Sequence, residues 1–79
     1  MRDLELDLEN GITKINSEHS SLEEFDLMDA AQNANDTVYD EFNRSVDLDT
    51  PEKLDRWLEV YSATCHEIEN QKWLEEQNK

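Results

Sequence analysis

The chain is short of everything that lets a polypeptide turn sharply, cross-link itself or grip an anion. One glycine and one proline in 79 residues leave few places for tight turns and argue against many short strands. The single cysteine, Cys65, has no partner for an internal disulfide, which excludes a stapled secreted miniprotein. Seven Lys and Arg stand against 21 Asp and Glu, a net charge of −14. Direct binding to nucleic acid or to an anionic membrane needs clustered cations and is excluded too. No run approaches the roughly 18 apolar residues of a membrane-spanning helix, and no signal-peptide pattern opens the chain. The expectation is one small soluble cytoplasmic domain, residues 1–79.

Apolar residues are also scarce. Leu, Ile, Val and Phe together make up seventeen of the 79 residues, just above the roughly 20% below which high net charge implies disorder. Two Trp, two Tyr and two Met add large apolar area. Self-repulsion among the excess carboxylates opposes compaction. A marginal monomer is expected, helped by salt, by dimerisation or by a cationic partner.

The pattern that remains is helical. Ser21-Leu22-Glu23-Glu24 reads as a capping box opening a helix that runs to about Arg44. At 100° per residue Leu27, Met28, Ala31, Ala34, Val38 and Phe42 gather on one face, with Tyr39 at its edge. Ser45-Val46-Asp47-Leu48-Asp49 breaks the pattern. Thr50 then caps, and Pro51 opens, a helix reaching about Gln77 with Leu54, Trp57, Leu58, Tyr61, Cys65 and Ile68 as its stripe. Lys72 falls where that stripe should continue, while Trp73 and Leu74 point elsewhere. Residues 1–20 fit two descriptions. Leu4, Leu6 and Leu8 alternate before Asn10-Gly11, a hairpin signal, yet Leu4, Leu8, Ile12 and Ile15 fall at helical spacing. The fold class is therefore all-α: two long helices plus an N-terminal helix, with an N-terminal β-hairpin as the alternative.

Catalytic and metal chemistry find no purchase. Cys65 and His66 diverge by about 100° on a helix, and His19 is the one other histidine, so a zinc site is not expected. Asp47-Leu48-Asp49 opens like a calcium loop, but Pro51, Glu52 and Leu58 occupy its ligand and glycine positions. No phosphate loop, nucleophile elbow or triad motif occurs. Cys65 lies on the apolar stripe and reads as a small buried hydrophobe. Neither an enzyme nor a cofactor is expected.

The arrangement of the carboxylates is the informative feature. No Lys or Arg stands between Lys14 and Arg44, a span that holds Glu18, Glu23, Glu24, Asp26, Asp29, Asp36, Asp40 and Glu41. Asp26, Asp29, Asp36 and Asp40 fall within an arc of about 80° opposite the apolar face, with Asn33 between them. Glu52, Asp55 and Glu59 form a shorter row on the last helix, near Lys53 and Arg56. Like charges three or four apart on a helix repel, and Asp is a poorer helix former than Glu. A local rule broken without compensation marks a functional site. Carboxylates at this spacing sit roughly 5–6 Å apart, a pattern that the Lys and Arg of a nucleic-acid-binding protein can take for phosphates. Acidic faces also simply keep small proteins soluble, which is the plainer reading.

In size, acidity and inferred helicity the whole chain is similar to the DNA-mimic inhibitors encoded by bacteriophages and mobile elements. Those proteins occupy the nucleic-acid sites of restriction enzymes, CRISPR effectors, nucleases or nucleoid proteins. The resemblance is compositional and implies a non-enzymatic anti-restriction, anti-CRISPR or anti-nucleoid inhibitor acting in the host cytoplasm. Its partner would be a basic nucleic-acid-binding protein. The expected contact residues are Glu23, Asp26, Asp29, Asp36, Asp40, Glu41, Glu52, Asp55 and Glu59, with Trp73 as a further contact. The rival is an antitoxin, adaptor or assembly chaperone gripping a partner through an apolar face that includes Trp57, Tyr61 or Trp73. A homodimer pairing two apolar stripes is the third possibility.

Overall fold

The computed structural model describes residues 3–44 and 48–77, and its regular elements are three helices: α1 (Leu4–Glu18), α2 (Glu24–Glu41) and α3 (Pro51–Gln77). The all-α expectation holds. Ser45, Val46 and Asp47, part of the expected break and of the calcium-like run, lie outside the described residues.

The N-terminal ambiguity resolves as helix. The Asp3 carboxylate caps α1 by accepting from the Leu6 N–H at 3.1 Å, satisfying one of the donors a helix start leaves open. Ile15 is buried, and Leu8 and Ile12 pack against the core. Asn10-Gly11 therefore sits within a helix and makes no turn. A Cβ on Gly11 would come within 2.7 Å of Leu58 Cδ1 and 2.8 Å of its Cδ2. The glycine marks the place where α1 lies against α3.

Helix α2 starts later and ends earlier than its sequence suggests. Glu23, not Ser21, is the N-cap, and the Asp26 carboxylate accepts from the Glu23 N–H at 3.1 Å. Ser21 instead donates its hydroxyl to Glu69 at 2.9 Å. At the other end, the N–H of Phe42 donates to Val38 O at 2.9 Å and that of Arg44 to Tyr39 O at 2.7 Å. Asn43 and Arg44 take φ of 55° and 66°. This left-handed closure uses up carbonyls that the helix end leaves open, and it stops α2 at Glu41, short of Arg44.

Helix α3 follows its sequence signals. Thr50 Oγ1 accepts from the Lys53 N–H at 3.3 Å, and Pro51 takes the first helical position, where its missing N–H is not needed. Leu54, Trp57, Tyr61 and Cys65 are buried along one side. The rings of Trp57 and Tyr61 stack at 5.1 Å and 11°.

α3 is the spine. α2 packs extensively along it, α1 less so, and α1 and α2 barely touch. Contacts from Gly11 to Leu58, Asn16 to Tyr61 and His19 to Glu69 run α1 parallel to α3. Those from Asp26 to Lys72, Asn33 to Thr64 and Glu41 to Arg56 run α2 antiparallel to it. The described residues span 49 × 24 × 16 Å, longer and flatter than a sphere. No helix among them is long and apolar enough to cross a membrane.

Candidate functional site

Which side of α2 faces water is decided by what α3 offers it. Ala30, Ala34 and Val38 are wholly buried, and their small side chains leave room for the large Trp57 and Tyr61 opposite. This contact line is turned by about 50° from the centre of the apolar face read from the sequence. Two consequences follow. Met28, expected in the core, is 63% exposed, together with Phe25 at 78% and Tyr39 at 42%. At the opposite edge, Asp26 and Asn33 are drawn toward α3.

Asp26 therefore leaves the open acidic row. Its carboxylate pairs with the Lys72 ammonium, and only 18% of the side chain is exposed. The hydrogen bond from Lys72, followed by that from the Glu23 N–H, holds this carboxyl below its ordinary pKa. Lys72, which falls where the α3 stripe should continue, uses that position to reach Asp26. Asn33 Nδ2 donates to Thr64 Oγ1 at 2.8 Å.

Other carboxylates are also matched internally. Arg56 makes a fork to Glu41, with Nε donating at 3.0 Å and Nη2 at 2.8 Å; these hydrogen bonds lower the Glu41 pKa. Arg56 Nη1 also lies 3.5 Å from Glu59. Lys53 pairs with Asp49 at 3.0 Å. At the turn between α1 and α2, Glu69 accepts from the Ser21 hydroxyl and from His19 Nδ1–H at 3.1 Å. Both bonds, that of Ser21 foremost, depress the Glu69 pKa.

Asp29, Asp36 and Asp40 remain. All three are exposed, lie within about 40° of one another around α2, and enter no ion pair among the described residues. Asp40 stands in the last turn of α2, which carries no basic residue, so the helix dipole opposes its charge. Asp36, one turn earlier, repels it as well. Glu23, the N-cap, and Glu24 are exposed at the start of the same helix. Glu52, Asp55 and Glu59 are exposed on α3, a separate helix, where Glu59 shares Arg56.

The aromatic residues of α3 divide as their sequence pattern suggests, Trp57 and Tyr61 inward and Trp73 outward. Trp57 and Tyr61 are 6% and 3% exposed, and each spends its polar atom internally. Trp57 Nε1 donates to Asn35 Oδ1 at 2.7 Å and Tyr61 Oη to Asn16 Oδ1 at 2.6 Å. Neither offers a face to a partner. Trp73 is 56% exposed and lines a shallow cleft of about 250 Å³ with Ser21, Glu69, Lys72 and Glu76. Cys65 is fully buried, and burial raises its thiol pKa. Phe25 went unnoticed in the sequence; the Ala30, Ala34, Val38 spacing was the signal that would have turned it outward. Comparison of the chain with protein-family models, curated proteins and solved structures returns no match.

Proposed function

We propose that the protein is a non-enzymatic acidic inhibitor whose α2 carboxylates stand in for nucleic-acid phosphates in the groove of a basic nucleic-acid-binding protein. Its natural setting would be that of a phage or mobile-element protein directed against restriction, CRISPR or nucleoid proteins. The observation that carries this reading is selective neutralisation. Lys53, Arg56 and Lys72 are committed to Asp49, Glu41 with Glu59, and Asp26, whereas Asp29, Asp36 and Asp40 keep their charge facing outward. Such a row would steer association at long range and weaken as salt rises.

The test is competition with labelled nucleic acid for a panel of basic nucleases, CRISPR effectors and nucleoid proteins. Asp29→Asn/Asp36→Asn/Asp40→Asn should abolish competition, while Asp26→Asn, whose carboxylate is already paired, should keep it. Undiminished inhibition by the triple variant overturns the reading. A helical interaction module is the second reading, favoured by the outward Phe25 and Met28. It predicts binding that persists at high salt.

A further inference from the structure

The outer side of α2 carries more than charge. Met28, Tyr39 and Phe25 fall within about 60° around the helix, and the arc of Asp36, Asp29 and Asp40 begins where theirs ends. The apolar members are 63%, 42% and 78% exposed, and neither α1 nor α3 covers them. A second copy of the chain is a poor occupant for this face, since a two-fold contact would bring two unneutralised aspartate rows together. Charge complementarity calls for a cationic occupant, and the three exposed side chains call for one that also presents apolar or aromatic surface.

The density of charge narrows the choice. From Asp29 to Asp40 the helix rises about 16.5 Å at 1.5 Å per residue. Duplex DNA carries about one charge per 1.7 Å, so that length of duplex would present about ten charges; one strand, at about 3.4 Å per phosphate, would present about five, and fewer when stretched. Three carboxylates lie nearer the count of a single, stretched strand than that of a duplex. Major-groove readers of duplex contact phosphates and base edges and stack no rings on bases. Grooves for single strands pair a basic track with aromatic side chains on which unpaired bases stack. A helix with carboxylates along one strip and Phe25, Met28 and Tyr39 along the next supplies both halves of that pattern.

We infer that the groove this protein enters is one that holds single-stranded nucleic acid, with Asp29, Asp36 and Asp40 taking phosphate positions and Phe25 and Tyr39 taking base positions. The inference rests on the phosphate-mimic reading above and adds the class of partner. The full chain is titrated against two probes followed by fluorescence anisotropy. One is an OB-fold single-strand-binding protein on labelled oligothymidine, the other a helix-turn-helix repressor on its labelled operator duplex. Oligothymidine should be released at a concentration about tenfold or more below that needed for the duplex. Phe25→Gln/Tyr39→Gln should lose about thirtyfold or more on the oligothymidine probe, since two stacking rings are removed together, and should leave the duplex titration unchanged. Circular dichroism checks that both exposed substitutions keep the helix. Preferential release of the duplex, or indifference of oligothymidine release to the Gln pair, overturns the single-strand assignment alone when the triple Asn variant is inactive. Full activity of the triple Asn variant, or release of neither probe, overturns the phosphate-mimic reading with it.

Discussion

At the scale of single residues, the structure separates carboxylates that hold the fold from those that do not. Asp26 serves the N-terminus of α2 and the Lys72 ammonium at once. Its folded pKa lies below the ordinary 3.8, so its stabilising effect is complete above that value and is lost as pH falls through the lower folded one. Urea unfolding of wild type and Asp26→Asn should therefore show a gap at pH 7 that begins to close below pH 3.8. A gap independent of pH would mean that the pair contributes nothing through its charge. None of this division was legible in the sequence, where Asp26, Asp29, Asp36 and Asp40 are alike in type and spacing. Only the placement of Lys72, forty-six positions further on, tells the first from the other three. Cys65, by contrast, was readable as a buried small residue, because a stripe position on a long helix leaves a thiol no route to solvent.

At the scale of elements, helix existence was legible and helix orientation was not. Thr50-Pro51 announced α3 because capping and the missing proline N–H are local physics. For α2, periodicity located an apolar side but weighted the bulky Met28 equally with alanines; the fit of Ala30 and Ala34 against Trp57 and Tyr61 decided the contact line. Gly11 misled because a glycine after asparagine signals a turn, whereas here it relieves contact with Leu58. A double-mutant cycle should expose that contact. Gly11→Ala gains helix propensity of about 1 kcal/mol but forces the Leu58 methyls aside, so it should be less favourable in wild type than in a Leu58→Ala background. A coupling of about 1 kcal/mol is expected from chemical unfolding, and simple additivity would remove the glycine's packing role.

At the scale of the whole molecule, a net charge of −14 on a chain this small sets the terms of stability. Among the described residues, ion pairs such as Lys72–Asp26, Arg56–Glu41 and Lys53–Asp49 relieve part of the repulsion, but the open carboxylates of α2 push against one another and against the helix dipole. Thermal unfolding should accordingly shift upward between about 0.05 and 0.5 M sodium chloride, as the Debye length shrinks below the distance between neighbouring charged faces. A fall in the midpoint over that range would show that the pairs outweigh the repulsion. The same salt range should weaken binding to a basic partner, so folding and association would respond with opposite signs.

The thin contact between α1 and α2 has a bearing on how the molecule comes undone. Since each rests separately on α3, α1 can lift away at the cost of its own contacts, Asn16 with Tyr61 and Gly11 with Leu58, while Ala30, Ala34 and Val38 stay seated on α3. The amide protons of α1 would then exchange with solvent long before those of the other two helices, and the outward side of α2 would stay presented while the amino-terminal arm comes and goes.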